Sequence, residues 1–600
     1  MPDESTLAER SAAVRDPRWR MVVAATVEGA VLAALIEVCL RILVPELTDR
    51  GLRNVNPHAV WLSPLANAAL LLPLTTAVAV GAQLVGRAVR TEAWLRLASY
   101  SYAVAQGTLL INRIHAVSAL LFAFGVGSVL AALAVWRPWR VLVRAAVAGA
   151  IAAAALWALW VPVSRHVRYA SDLRGLPASP DSAPNVLLLI LDTVSADEMG
   201  LYGYSRPTTP VLDSLARQGV VFDRAIASAP WTLPSHGSMF TGRDARELSG
   251  RFRAPLDNTY PVVAESFASA GYVTAGFVAN LEYTSRASGL ARGFHWYSDY
   301  RPSLPGALAF TALGGKIVKR AGGWRGRPFQ FGRKDAAQVN EEFLEWEHGT
   351  RRPWFAFLNY YDAHDPYVPP TRDEHRFLSP DQRPVYEVFG TGSKDRPRVE
   401  SARALHDAAL LSLDREIGRL LDVLRRRGDL ERTVIVVTSD HGEEWGARGV
   451  LLHGNSVYLR ALHVPLLIIR PGSVPAGTRV ATPVGTRHLG ATLLDLAGLP
   501  ASSLAGSSLS GYWKDPGGAW PVSEVSWVEK SANQRSEYPA SKTELFSVIS
   551  DSVQVIVGPD TMVFRLGAPI DSAVDLSADP ASAGEVARAL RVIAQLVKGR

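Results

Sequence analysis

The sequence predicts an N-terminal bundle of about five transmembrane helices, an α/β domain on a mostly parallel sheet, and a small C-terminal α+β subdomain. Three observations predict it. Apolar residues gather before about residue 165 in runs long enough to span a bilayer as helices. After residue 184, short β-branched runs alternate with amphipathic helical patterns, the signature of a parallel sheet covered on both faces. Two of those runs stop abruptly at ligand-type residues: NVLLLIL at Asp192, and TVIVVTS at Asp440 and His441. An open parallel sheet builds its site beyond the carboxyl ends of its strands.

Bulk composition narrows the class. With 600 residues and 48% hydrophobic content, several domains are expected. The net charge of +7 comes from Arg more than Lys, without a compact basic run or basic-aromatic interleaving. Nucleic acid is therefore not an expected partner, and most of these charges read as a solvated surface. An overall positive charge also suits an anionic lipid surface. The single cysteine, Cys39, lies in an apolar segment. A disulfide within the chain, a thiolate nucleophile and a cysteine-based zinc site in the soluble half are excluded.

In order along the chain, residues 1–19 read as a cytoplasmic N-terminus and 20–164 as the membrane domain. The apolar runs are 20–44, 60–86, 115–136 and 140–163, with a weaker one at 94–112. If the weaker run spans, Arg10, Arg15, Arg18, Arg20, Arg87, Arg90, Arg96, Arg137, Arg140 and Arg144 all flank the cytoplasmic face, as the positive-inside rule requires. The topology adopted is therefore five spans in a bacterial-type cytoplasmic membrane, N-terminus inside, with everything after about residue 165 outside. No small-residue cleavage site follows a short first run, so the first span is read as retained. Within it, Glu37 and Arg41 stand at i and i+4 and read as a self-paired couple near the outer interface, with Arg41 snorkelling. Trp136, Trp139, Trp157 and Trp160 read as interface anchors.

Residues 165–184, rich in Pro, Ser, Asp and Gly, read as a linker, 185–510 as the catalytic α/β domain and 511–600 as the C-terminal subdomain. In the last, SVISDSVQVIVGPDTMVFRL reads as strands of a small antiparallel sheet and EVARALRVIAQLVKGR as a closing amphipathic helix. The insert at 300–335, rich in Gly, Arg, Lys and aromatics, reads as a solvated loop.

Five clusters in the soluble half could carry chemistry: Asp192-Thr193; Asp440-His441; Pro230 to Gly237, with Thr232 just before a helix start; Asp362 to Tyr367, with His364; and Leu452 to Asn455, with His453. Pro234 suits a first helical turn, whose free N–H groups favour an anionic oxygen. Each cluster has a bland reading of its own. An acid at a strand end is usually a helix cap, a lone histidine a satisfied core residue, a lone threonine a loop residue. The force lies in their combination and their strand-end placement.

From about residue 184 to 600 the chain resembles the sulfatase family of the alkaline phosphatase superfamily. The segments that carry the resemblance are LDTVSADEMGLYGYSRPTTPVLDSLARQGVVFDRAIASAPWTLPSHGSMFTGR, NYYDAHDPYVPP, TSDHGEEWG, LLHGNSVYLRALHVPLLIIRPG, GATLLDLAGLP and the closing AVDLSADPASAGEVARAL. The resemblance implies an alkaline-phosphatase-like fold and one divalent metal ion held by Asp192, Asp440 and His441. It places the nucleophile, which also contacts the metal, at Thr232, and contacts to the transferred group or leaving oxygen at His364 and His453. The chain departs from the family pattern at three points. Thr232 stands where sulfatases carry the Cys or Ser that becomes formylglycine, His236 where they carry Arg, and Thr193 where they carry the second of two paired acids. A less charged phosphate clamp and a reduced metal shell follow as expectations, with His236 a cation or hydrogen-bond donor at the anion pocket. In nucleophile type and architecture the chain is similar to phosphoethanolamine transferases and lipoteichoic acid synthases.

The expectation is a membrane-anchored, metal-dependent hydrolase or transferase acting through Thr232 on a phosphodiester or phosphomonoester. A membrane phospholipid as substrate and a glycan acceptor are its most concrete form. Sulfate-ester hydrolysis and a catalytically inactive anion-binding scaffold are the alternatives. Oxygen and nitrogen ligands suit zinc, manganese, magnesium or calcium.

Overall fold

The computed structural model describes residues 17–43, 56–85, 91–111, 115–179, 183–388, 395–518, 524–530, 536–550, 552–567 and 574–598. Arg10, Arg15, Arg87 and Arg90, on which part of the topology reading rests, lie outside them. The chain divides into two compact units: Met1–Arg168 with Tyr300–Arg333, and Tyr169–Asp299 with Lys334–Arg600.

The first unit carries helices α1 (Pro17–Leu43), α2 (Ala59–Leu84), α3 (Thr91–Leu109), α4 (Ala116–Leu133) and the start of α5 (Arg137–Arg174). Four of them, α1, α2, α4 and α5, are long and apolar enough to cross a membrane. The weaker run at 94–112 also forms a helix, α3, but it is not one of the four. Its Glu92, Arg96, Ser99, Ser101 and Gln106 lower its hydropathy, and Ser99 and Gln106 are buried among neighbouring helices. Helix α5 continues to Arg174, so the first half of the segment read as linker is helical.

The insert belongs to this unit and is not a solvated loop. It forms two helices, Leu304–Phe310 and Ala312–Arg325. Each starts at a hydroxyl cap: Ser303 accepts from Gly306 N at 3.2 Å, and Thr311 accepts from Gly314 N at 3.0 Å. Their junction packs on the bundle. Glu37 accepts from Ala312 N at 2.7 Å, Asn67 at 3.1 Å and Ser63 at 3.3 Å. Arg41 donates to the Phe310 carbonyl at 2.6 Å and covers its ring at 4.1 Å. The carboxylate in α1 is thus held by neutral donors from α2 and the insert as well as by its neighbour Arg41, which is why it can be buried there.

The second unit is built on an eight-stranded sheet. Its strands are β1 (Asn185–Leu191), β2 (Val220–Phe222), β3 (Val273–Val278), β4 (Trp296–Ser298), β5 (Trp354–Tyr360), β6 (Thr433–Thr438), β7 (Leu466–Ile469) and β8 (Thr478–Val480), in the spatial order β8-β2-β7-β6-β1-β5-β3-β4. Only β7 runs against the others. Every residue of β1, β3, β5 and β6 is buried, which explains their unbroken apolar runs: a strand covered on both faces has no polar alternation. On one face Leu187, Leu189 and Leu191 join Ile435, Val437 and Leu358 in a core shared with Phe343 and with Leu413 and Ile417 of the long helix Arg396–Arg427. On the other, Phe357 meets Phe240 of helix α6 (Thr232–Thr241) edge-on at 5.1 Å.

The register sets the site. Leu191 pairs with Tyr360, Ile190 with Thr438, and Val278 with Asn359. The carboxyl ends of β1, β3, β5 and β6 therefore finish side by side, and the residues after them converge. Beyond them a four-stranded antiparallel sheet, Glu524–Val528, Leu545–Ile549, Val553–Val557 and Thr561–Arg565, packs with helix Ala583–Lys598 through Ala589 and Ile593.

Candidate active site

Three of the residues singled out in the sequence meet at these strand ends. Asp192 follows β1, Asp440 and His441 follow β6, and a ligand atom from each lies within 4.8 Å of the others. All three side chains are buried. Asp192 Oδ2 accepts from Asn280 Nδ2 at 2.9 Å and Asn359 Nδ2 at 3.4 Å, and Asp440 Oδ1 accepts from His441 N at 2.9 Å and Thr193 N at 3.3 Å. The remaining oxygens, Asp192 Oδ1 and Asp440 Oδ2, are buried with no hydrogen-bond partner among the described residues. His441 Nδ1 donates to the Gly442 carbonyl at 3.1 Å, leaving Nε2 with its lone pair 3.4 Å from Asp440 Oδ2.

Two orphaned carboxylate oxygens facing one imidazole lone pair fit a divalent cation. The protonation balance agrees. Burial, and then the neighbouring Asp440, raises Asp192 to about 8, while burial raises Asp440 to about 7. Burial, and then His453, lowers His441 to about 4. Carboxylates that hold protons near neutrality, beside an imidazole that resists one, are groups that a cation would restore to their ligating forms.

Thr232 opens α6, whose ten residues are all buried. Its Oγ1 lies 3.3 Å from His441 Nε2 and 3.4 Å from Asn280 Nδ2, so the hydroxyl borders the carboxylate pair. Ser235 ties the first turn to β6 by donating to the Asp440 carbonyl at 2.6 Å. His236 does not face outward as an anion clamp. It is fully buried, donates Nδ1 to the Thr232 carbonyl at 2.8 Å, and leaves Nε2 without a partner among the described residues. Burial lowers it to about 3, so it is a neutral donor that braces the first turn of α6.

Thr193 adopts φ 63°, left-handed backbone that a β-branched residue takes only under constraint. Its hydroxyl donates back to the Asp192 carbonyl at 2.7 Å while its N–H holds Asp440. The position that carries the second acid in the family thus contributes backbone, not a carboxylate.

His453 sits beside these groups. Its ring lies 4.4 Å from His441 and 5.1 Å from Trp231, and its Nδ1 is 2.9 Å from Glu443 Oε1. His364 stands further out, 5.0 Å ring to ring from His453, with Nδ1 donating to the Asp365 carbonyl at 2.7 Å. The structure therefore gathers Asp192, Thr232, His236, Asp440, His441 and His453 directly and leaves His364 at the edge.

Three contributors were not foreseen: Asn280, Asn359 and Glu443. Asn280 follows a third strand end, YVTAGFVA, and Asn359 is the one amide in the apolar run WFAFLNY. Either break in an apolar strand was a usable signal. Glu443 lies two residues past His441, but nothing in the sequence paired it with His453.

A strand-end site of two acids, a histidine and a helix-borne hydroxyl, on a sheet of this order, defines a hydrolase of the alkaline phosphatase type. Residues 184–499 match the family model described as Sulfatase, and the chain belongs to the sulfatase family of the alkaline phosphatase superfamily. It is 26% identical over 396 residues to arylsulfatase K of Bos taurus, covering 59% of this chain and 70% of that protein. It is 25% identical over 398 residues to choline-sulfatase of Rhizobium meliloti (strain 1021), covering 60% and 74%. Among solved structures, phosphonate monoester hydrolase of Agrobacterium radiobacter superposes with a TM-score of 0.56 at 18% identity, covering 69% of this chain and 96% of that one. Phosphonate monoester hydrolase SpPMH from Silicibacter pomeroyi gives 0.52 at 23% identity, covering 69% and 94%.

Proposed function

We propose that this chain is a membrane-anchored, metal-dependent hydrolase or transferase of phosphoryl groups that uses Thr232 as its nucleophile outside the cytoplasm. The observation that carries the reading is the position of Thr232 Oγ1, 3.3 Å from His441 Nε2 at the start of a buried helix, beside two carboxylates with orphaned oxygens. Asp192, Asp440 and His441 would hold the cation, zinc, manganese, magnesium or calcium, with Thr232 at its edge. When bound, it supplies Lewis-acid polarisation of a non-bridging oxygen and lowers the pKa of the hydroxyl.

Thr232 Oγ1 loses its proton to solvent and attacks phosphorus in line. The new P–O bond forms as the bond to the leaving oxygen breaks, giving a phospho-threonine. The helix N-terminus and the Asn280 amide face the non-bridging oxygens. His453 Nδ1 faces Glu443, whose carboxyl burial raises to about 7, so Nε2–H protonates the leaving oxygen as the Glu443 proton passes to Nδ1. His364 flanks it at the mouth. Water, or the hydroxyl of an acceptor, then attacks the phospho-threonine and gives its proton to the same imidazole. The bond to Oγ1 breaks and threonine is regenerated. Four apolar helices ahead of this domain favour a membrane-proximal substrate, most concretely a phospholipid headgroup passed to a glycan.

Sulfate-ester hydrolysis is the second reading, favoured by relatives named arylsulfatase and choline-sulfatase. Against it, a sulfated threonine has no hemiacetal route to release. Rapid quench of a bis-aryl phosphate reaction and of an aryl sulfate reaction, followed by mass spectrometry of the peptide containing Thr232, separates them. The proposal expects a phosphate on Thr232 with the first substrate. A sulfate ester turned over without a Thr232 adduct, together with an inert phosphodiester, would replace it.

A further inference from the structure

We infer that the first unit carries a site for one anionic diacyl phospholipid, with an acyl chain in the cavity between α2, α3 and α4 and the headgroup phosphate on Lys316 and Arg320 of the insert. This rests on the reading of the unit as membrane-embedded. The lipid is held by residues that take no part in the strand-end site.

The cavity has a volume of about 430 Å³ and is lined by side chains of the first unit alone. Leu74 of α2, Phe124 of α4 and Leu313 of the insert are part of its apolar wall. Its α3 lining runs from Trp94 to Leu109, about 22 Å at the rise of a helix. That is most of the ~30 Å hydrocarbon thickness of a bilayer, a length that suits a lipid tail. Trp94, Leu120 and Phe124 of the lining are exposed, so the cavity opens sideways between the helices. Gln106 in the lining is committed: Nε2 donates to Tyr102 Oη at 2.6 Å, and Oε1 accepts from Leu313 N at 2.9 Å. The second bond starts the insert helix Ala312–Arg325 at the Leu109 end of the cavity.

A stripe continues from there along that helix. Leu313, Lys316, Ile317, Arg320 and Trp324 recur at helical spacing and share one face. Lys316, Lys319 and Arg320 are exposed, and among the described residues none of them pairs with a carboxylate. Ile317 is 48% and Trp324 80% exposed, and Arg320 stands over the Trp324 ring at 5.7 Å. Cations interleaved with apolar side chains on one face, with an exposed tryptophan, suit a bilayer interface. Charge selects the headgroup. From Arg301 to Arg333 the insert carries seven lysines and arginines and no acid, which equals the formal net charge of +7 of the whole chain. The rest of the chain is therefore balanced, and the excess sits on this segment. An anionic headgroup complements it, whereas a zwitterionic one brings its own cation and gains less.

The test is native mass spectrometry of the full-length protein in detergent, titrated with dioleoyl phosphatidylglycerol or dioleoyl phosphatidylcholine, which share their acyl chains. The expected result is one phosphatidylglycerol per chain, bound about tenfold or more tightly than phosphatidylcholine. The double variant Lys316→Gln/Arg320→Gln changes two exposed side chains. It should keep the unfolding temperature of the parent and bring the affinity ratio close to one. Ala105→Phe, which fills the cavity, should weaken both lipids and leave their ratio unchanged. Should that variant fail to fold, a phosphatidylglycerol with a photoreactive acyl terminus reads the same contact in the parent protein, with label expected on residues 94–109. Equal affinity for the two lipids, or a ratio unchanged in the double variant, overturns the inference. A dimer that retains no lipid assigns the cavity to a second copy and overturns it as well. Recovery of the chain in the soluble fraction of disrupted cells overturns the membrane reading and this inference with it, whereas an integral protein without headgroup preference overturns the inference alone.

Discussion

Glu443 Oε1 lies 2.9 Å from His453 Nδ1, and the other oxygen of that carboxylate accepts from Tyr367 Oη at 2.8 Å. Glu443 is fully buried, so its two bonds fix the ring of His453 and leave Nε2 as the atom that would meet a leaving group under the proposed mechanism. A residue acting this way should matter in proportion to how much the leaving group needs a proton. Glu443→Gln is expected to lower kcat by about 10²-fold with an alkyl leaving group and by much less with p-nitrophenolate. Steady-state kinetics over a leaving-group series checks it. A uniform loss across the series would make Glu443 structural.

Asn280 touches both Asp192 and Thr232, at 2.9 and 3.4 Å, through one amide nitrogen. Asn280→Ala should reduce metal affinity or activity by about 10- to 100-fold, the usual cost of losing an outer partner of a ligand. Asn280→Asp should be worse, because it adds a fourth carboxylate. Metal content by mass spectrometry beside kinetics distinguishes lost affinity from lost rate.

Metal uptake should depend on pH in a defined direction. With Asp192 raised to about 8 and Asp440 to about 7, the metal-free site holds protons that a cation must expel. Apparent affinity therefore rises from pH 6 to about 8 and then levels. The metal-free protein has the opposite linkage. Both carboxyls bind more protons folded than unfolded between their ordinary value of 3.8 and the raised ones, so their stabilising contribution is lost as pH rises through that window. Chelator-treated protein should unfold at lower temperature at pH 8.5 than at pH 6, and added manganese should reverse the order.

Gly454 has φ 71°, and a Cβ there would fall 2.3 Å from Trp231 Cε3. The glycine lets the His453 loop close on Trp231, the residue before Thr232. Gly454→Ala should cost about 1–3 kcal/mol in backbone strain and displace both Trp231 and His453. Activity should fall more than stability, as calorimetry and kinetics on the same preparation would show.

In the first unit, Glu37→Leu would leave Ser63 Oγ and Ala312 N without their acceptor, at about 1–3 kcal/mol for each group left unsatisfied, while Asn67 would keep its bond to the Ser63 carbonyl. Glu37→Gln keeps an acceptor and should be milder. Thermal unfolding in detergent ranks the two. Limited proteolysis of 300–333 reports whether the insert helices have detached.

The sequence made most of this architecture legible because apolar runs in a doubly covered sheet have no competing periodicity. NVLLLIL and TVIVVT could hardly be anything but buried strands, and the acids at their ends mark the site. The insert was misjudged because its glycines and arginines mimic a loop. Its caps, Ser303 and Thr311, and the buried acceptor Glu37 become informative only when the chain is folded. His236 shows the same limit. Its place in the motif suggested an anion clamp, whereas the i to i+4 bond to Thr232 turns the ring inward. Asn280 and Glu443 escaped notice because their partners lie on other strands or loops, and no local pattern announces a pairing made by register.

Anomalous diffraction from manganese-soaked crystals tests the central claim most directly. The account predicts one strong peak bounded by Asp192, Asp440, His441 and the Thr232 hydroxyl, lost in Asp440→Ala. A site empty at saturating manganese, or an ion held elsewhere with Thr232 turned away from it, would contradict the account.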